Sequence, residues 1–170
     1  ILSIILTIYI YIFTNHANSK TVYIKHTGNE IERYSAHLNS KINSISVVSN
    51  FVATCSDDGT VSIKHLNHNK DDVSMFEFSD PIRSICLDPR YETTKAFCVG
   101  VGKSKCIINR KGWFGNTSTI VHQGEGLVSK IAWNVDNLLA WSTERSVKIY
   151  DTEKEVRISS LDRPKTETSP

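Results

Sequence analysis

One short element returns four times along the chain: a small or polar residue, then Val-x-Ile or a close equivalent. It stands as KTVYI from Lys20, GTVSI from Gly59, SKCII from Ser104 and RSVKI from Arg145, with starts 39 to 45 residues apart. A period of that size marks an array of supersecondary units, each too small to bury its own apolar face and therefore stacked on its neighbours. It sets what has to be explained next, the content of one unit.

The stretch FVATCSDDGTVSI, Phe51 to Ile63, gives the centre of that unit. Val52/Thr54 and Val61/Ile63 alternate with smaller or polar residues at strand spacing. Asp58-Gly59 supplies the turn, because Gly takes φ > 0 without steric cost and a neighbouring Asp tolerates the left-handed region. Equivalent strands precede the other late copies, near Phe97 to Val99 and near Leu139 to Trp141. Further upstream stands another strand type, INSISV at Ile42, IRSICL at Ile82 and VSKIAW at Val128. After each Val-x-Ile strand comes a weaker run, near Ile31 to Tyr34, Val73 to Phe78, Thr119 to Val121 and Val156 to Ile158. Four strands per period with no helical periodicity predict propeller blades. We read an all-β, WD-repeat-like propeller segment of about four blades forming an incomplete ring. Its units run 1–35 (partial), 36–80, 81–122 and 123–161, with 162–170 a linker or the start of another blade.

Composition narrows the function classes. A formal charge of +2 over 170 residues gives no global pull toward nucleic acid or an anionic surface. Cys55, Cys86, Cys98 and Cys106 lack any C-x-x-C spacing and sit in apolar strand patterns, which fits small buried hydrophobes in a reducing compartment. The opening ILSIILTIYIYIF is only thirteen residues of mostly β-branched and aromatic character. A spanning helix needs roughly 20 apolar residues, so paired strands are expected there instead. No Met opens the chain, and a part of a longer polypeptide is expected.

Ser56-Asp57-Asp58-Gly59-Thr60-Val61 resembles the S-x-D-G-T-V hairpin of WD-repeat blades, and Ala36-His37 and His122 stand where those repeats carry Gly-His. Tyr150-Asp151 approximates their Trp-Asp end, while Lys64-His65 replaces it. The resemblance therefore implies a divergent repeat, with His37, Thr54 and Asp58 left to pin the second blade around the Gly59 turn. The order KINSISV, CSDDGTVSI, DPIRSICLDPR, KAFCVGVGKSK, VHQGEGLVSKIAW, LLAWSTERSVKIYD and VRISSL is similar to the amino-terminal propeller of the vacuolar protein sorting-associated protein 41 family. It runs from about Tyr11 to Leu161. That resemblance implies a non-enzymatic subunit of a membrane-tethering (HOPS) complex acting at the late endosome and vacuole or lysosome. Implied partners are the other tethering subunits, a late-endosomal Rab GTPase and an adaptor coat, with peripheral membrane association through them, no nucleic acid and no cofactor. The alternative is a generic WD-repeat adaptor in an RNA or ubiquitin pathway.

Three chemical motifs compete with this reading. GVGKS, Gly100 to Ser104, resembles the end of a phosphate loop, but the required first Gly would fall at Phe97 and the segment after it is strand. Gly100 and Gly102 are expected to shape a hairpin turn, with Lys103 and Lys105 solvated. His37, His65, His68 and His122 show no metal-ligand spacing, and no nucleophile elbow accompanies any serine. The remaining candidate site is NRKGWFGN, Asn109 to Asn116, where Gly112 and Gly115 bracket Trp113 and Phe114 behind Arg110 and Lys111. Exposed aromatics beside basic side chains are the composition of interface hot spots, so these four residues are the expected partner contacts. The alternative is that the rings fold back over the blade edge. Arg83, Arg90, Lys95, Lys103, Lys105, Arg110 and Lys111 would form either solvated blade edges or a basic rim for an acidic partner or membrane.

Overall fold

The computed structural model of the chain describes residues 9–11, 21–25, 31–37, 40–66, 72–113 and 115–164, with 9–11, 21–25 and 31–35 described as backbone alone. Four antiparallel sheets follow one another in chain order. The first holds β1 (Tyr9–Tyr11), β2 (Thr21–Lys25) and β3 (Ile31–Ser35). The second holds β4 (Ile42–Val48), β5 (Phe51–Ser56), β6 (Thr60–His65) and β7 (Val73–Glu77). The third holds β8 (Ile82–Leu87), β9 (Phe97–Val101), β10 (Lys105–Gly112) and β11 (Gly115–Gln123). The fourth holds β12 (Lys130–Trp133), β13 (Leu138–Ser142), β14 (Ser146–Asp151) and β15 (Val156–Asp162). Within each four-stranded sheet the strands pair in sequence order, so the Val-x-Ile strands β6, β10 and β14 are third, as the repeat predicts. The first strands adjoin one another, β4 against β8 and β8 against β12, which sets them on the inner side of the array.

Helix is confined, among the described residues, to one turn, α1 (Tyr91–Thr94), between β8 and β9. Of the apolar opening, Tyr9–Tyr11 is strand paired with β2 in the register Tyr9↔Lys25; residues 1–8 and 12–13 lie outside the described residues.

Both faces of the inner strands are covered, and this explains their composition. All six residues of β5 and all five of β9 are buried. Phe51, Ala53 and Cys55 pair across to His65, Ile63 and Val61, and they join Ile82, Ile85, Leu87, Phe97, Val99 and Val101 in the core between the second and third sheets. Val52 points the other way, into a cluster with Ala36 and Leu66. The apolar set of this hairpin is thus Phe51/Ala53/Cys55 with Val61/Ile63, and Val52/Thr54 serve the opposite face. The third sheet repeats the division: Phe97, Val99 and Val101 face the second sheet, while Cys98, Cys106 and Ile108 pack with Val128, Leu139 and Trp141. Burying a side chain of Val, Leu or Phe size is worth about 1.5–3 kcal/mol, so these interfaces outweigh any single polar contact.

Glycine matters most where backbones approach. The structure removes Gly100 from the turn: it lies within β9, paired with Ser84 and Cys106. A Cβ there would stand 2.4 Å from Ser84 Oγ and 2.8 Å from the Val128 carbonyl oxygen, so the residue is small because the fourth sheet's leading loop presses on it. Ser84 Oγ donates to that same carbonyl at 2.8 Å. Gly102 alone, at φ +60, forms the turn. In the Phe51–Ile63 hairpin Gly59 takes φ +79 while Asp58 is not left-handed.

That leaves the Asp58 carboxylate free to cap the turn and reach a histidine. Asp58 Oδ1 accepts from the Thr60 amide at 2.9 Å and from Thr60 Oγ1 at 2.7 Å. His37 Nδ1 lies 2.8 Å from Thr60 Oγ1 and 3.3 Å from Asp58 Oδ2, and Nε2 lies 3.0 Å from Thr54 Oγ1. Since the Thr60 hydroxyl donates to the carboxylate, its oxygen accepts from Nδ1–H, and Nε2 accepts from Thr54. His37 and Thr54 are buried. Burial pushes the imidazole below its ordinary value against the opposing pull of Asp58, so the ring is neutral and its contact with Asp58 is a hydrogen bond rather than an ion pair. Partial burial raises the Asp58 carboxyl, but the Thr60 hydrogen bonds and His37 outweigh it and hold it below the usual range.

The other two blades tie the same loop and hairpin differently. In the third, the Gly102 amide donates to the Pro81 carbonyl at 2.8 Å and Lys105 approaches Asp80 at 3.7 Å. In the fourth, Gly124, Glu125 and Gly126 are successively left-handed, which turns Glu125 Oε2 toward Ser146 Oγ (3.0 Å) and the buried Lys148 Nζ (2.8 Å). His122 donates from Nε2 to the Gly124 carbonyl at 2.9 Å and its ring lies 5.5 Å from Trp141.

Two outcomes follow. Gly100→Ala loses about 1–3 kcal/mol of unfolding free energy by chemical denaturation, the usual penalty of overpacking; an unchanged midpoint would remove the close-approach explanation. Because the folded His37 and His122 bind a proton less readily than the ordinary value of 6.5, the unfolded chain protonates first on acidification. Stability is therefore present above 6.5 and falls as pH drops through the lower folded values. His37→Gln, which cannot titrate, gives a flatter midpoint-versus-pH curve between about pH 7 and about pH 5, and equal slopes would count against the assignment.

Candidate protein-interaction site

The longest strand pairing among the described residues builds the site. β10 pairs with β9 only from Lys105 to Asn109, yet it continues against β11 through Arg110↔Thr117, Lys111↔Asn116 and Gly112↔Gly115. Three residue pairs therefore overhang the sheet, about 10 Å at the usual strand rise. Gly115 at φ +126 closes the tip in a conformation that side chains rarely adopt. Trp113 stands there fully exposed, so its ring does not fold back over the blade. Phe114 lies outside the described residues.

Arg110 fixes the root of this overhang to the next blade. Its Nη1 donates to Glu155 Oε1 and its Nη2 to the Thr152 carbonyl oxygen, both at 3.0 Å, across to the turn between β14 and β15. Lys111 is exposed. A hollow of about 410 Å³ opens beside the hairpin, lined among others by Arg90, Arg110, Lys111, Trp133, Asn137 and Glu153. Arg90 contacts the Asn137 side-chain oxygen, a second link between the third and fourth blades. Within this region the Trp133 indole N–H is buried without a hydrogen-bond partner. The hairpin is thus a braced projection carrying one large aromatic side chain and one cation at its tip.

The other sequence candidates disperse. Arg90, Lys95, Arg110 and Lys111 lie where β8 ends, β9 begins and β10 ends, whereas Arg83, Lys103 and Lys105 stand at the opposite strand ends. The basic residues therefore divide between two faces and make no continuous rim. Arg83 is paired with Asp57 at 2.6 Å and Lys105 with Asp80, so Lys105 is not simply solvated. GVGKS leads from β9 into β10, and no helix follows it to receive a phosphate. His37, Thr54, Asp58 and Gly59 come together at the second blade's hairpin; sequence reasoning missed Thr60, although its place in the D-G-T motif marks it. It also missed Glu125 and Lys148. His65 packs edge-on against Phe51 at 4.6 Å, and His68 lies outside the described residues. Among the described residues no three His, Cys, Asp or Glu side chains are gathered for a metal ion. Burial raises the Cys55 thiol to about 12 and pushes Cys98 up as well, which leaves both unreactive inside the core.

Comparison with known proteins agrees with the fold and extends it. A propeller domain solved for Myceliophteria_thermophila Cps50 (Swd1) superposes with a TM-score of 0.70 over 84% of this chain and 49% of that one, at 14% identity, which is a likeness of fold alone. Vacuolar protein sorting-associated protein 41 homolog of Arabidopsis thaliana is 33% identical over 84% of this chain and 15% of its own length. The Schizosaccharomyces pombe protein 41 is 28% identical over 91% and 18%, and the Homo sapiens homolog 28% over 72% and 14%. The chain thus spans between about a seventh and a fifth of these relatives' length. The family Beta-prop_Vps41, described as "Vps42 beta-propeller", matches residues 3–170. With its sheets, its hairpins and nearly its whole length accounted for in this way, the chain belongs to the Vps41 β-propeller family.

Proposed function

We propose that this chain is a non-enzymatic scaffold segment of a membrane-tethering complex in vacuolar protein sorting, working where late endosomes meet the vacuole or lysosome. Membership of the Vps41 propeller family and relatives named for vacuolar protein sorting support the pathway. The proposed partners are the other tethering subunits, a late-endosomal Rab GTPase and an adaptor coat, with membrane association through them. Among the described residues no helix is long and apolar enough to cross a membrane.

The observation that carries the scaffold reading is the fully exposed Trp113 on a hairpin rooted to two blades by Arg110. A large ring held in water is costly to leave bare and is the side chain most enriched in interface hot spots. Because the root is fixed, little conformational entropy is lost when the tip docks. Arg110, Lys111, Trp113 and Phe114 are accordingly the proposed partner contacts, and His37, Thr54, Asp58 and Gly59 the proposed pins of the blade behind them.

Replacing Trp113 and Phe114 together by Ala weakens capture of the tethering partners by about 2 kcal/mol or more, roughly thirtyfold, with the melting temperature unchanged. Binding measured on the folded double variant decides it. Unchanged capture would remove the hairpin from the interface, and a lowered melting temperature with a proportional loss of complex would assign the rings to packing instead.

A further inference from the structure

Between the second and third blades, beneath α1, lies a hollow of about 480 Å³ that the tethering reading does not use. Its floor is aromatic: Phe51 meets Tyr91 at 5.0 Å and His65 at 4.6 Å, both edge-on. Asp72 and Glu92 stand on its wall with Ser74 and Ile63. One group already sits over that floor. Lys95 Nζ is 4.5 Å from the centre of the Phe51 ring and 5.4 Å from that of Tyr91. An ammonium over two ring faces with carboxylates nearby is the arrangement that recognises a cation.

The resident cation is tethered to an unusual backbone position. Lys95 caps α1 with φ 50, a left-handed conformation unusual for a residue with a long side chain, while its amide donates to the Tyr91 carbonyl oxygen at 2.9 Å. Lys95 is half-buried, so its contact with the rings is only partly desolvated and stays open to exchange with solvent. Phe51 and Tyr91, by contrast, are 8% and 4% exposed, so the floor is preformed and rigid.

We propose that this hollow is a binding site for a basic side chain, a lysine ammonium or arginine guanidinium presented by a partner polypeptide, and that Lys95 occupies it as an intramolecular stand-in. The rings would supply cation–π attraction and Glu92 and Asp72 the opposite charge. Lys95 competes from a tether, at an effective concentration in the millimolar range, so the parent chain binds an incoming cation more weakly than the bare floor would. The site lies apart from the Trp113 hairpin and does not rest on it.

n-Butylammonium, with n-butanol as the neutral control of the same length, tests this by NMR titration of the whole chain. In Lys95→Asn, a residue that tolerates the left-handed backbone, butylammonium gives saturable shifts at Ile63 and Tyr91, at least about threefold tighter than in the parent. Glu92→Gln in that background weakens them, and butanol gives none. In the unsubstituted chain the Lys95 ε-methylene resonance, displaced by the rings, moves toward its solvated position as butylammonium is added, so a Lys95 variant that failed to fold would not end the test. Absence of both effects, or equal shifts from butanol, would overturn the proposal.

Discussion

Each sheet in this chain has to bury two faces, and everything else follows from how it does so. A lone four-stranded sheet would leave one apolar surface in water; stacked sheets share it, and only strand ends and outer strands remain wet. β5 and β9 show the consequence most clearly, because every residue in them is buried and alternate residues serve different neighbours. Even small side chains are then dictated by the adjoining sheet, as Gly100 is by the Val128 carbonyl.

Sheet stacking does not by itself fix the loops, and polar ties do that. Each solution joins the segment entering a blade to the hairpin between its second and third strands. One is a neutral histidine relay, one a backbone hydrogen bond with a loose ion pair, and one a glutamate turned inward by three left-handed residues. The same connection is met by different chemistry, so a family motif survives in one blade and is replaced in the others. This also bears on function. A frame with pinned loops can hold a projection such as the Arg110-rooted hairpin in a constant direction, which recognition by contact needs.

Much of this was legible in the sequence because it is local. The Val-x-Ile period located the third strand of each four-stranded sheet, the D-G-T turn located Gly59, and the bracketing glycines located the exposed Trp113. What was not legible depends on contacts between sheets. Gly100 looked like a turn residue because G-V-G is a turn signal, whereas its neighbour 28 residues on decides its size. Lys64 and Lys148 lie buried, which no local pattern signals, because neighbouring elements close over them. Sequence proximity left the basic residues open to two readings, solvated blade edges or one rim, and antiparallel pairing sends them to opposite strand ends.

The stacked sheets form a rigid frame from which the proposed recognition hairpin projects, and amide hydrogen exchange resolved along the chain tests that division most directly. Exchange is slowest at β5, β6 and β9, where both faces are covered, and fastest at residues 111–113 and 115–116, where the hairpin stands clear of its sheet. Protection spread evenly over the three four-stranded sheets and the hairpin tip would contradict it.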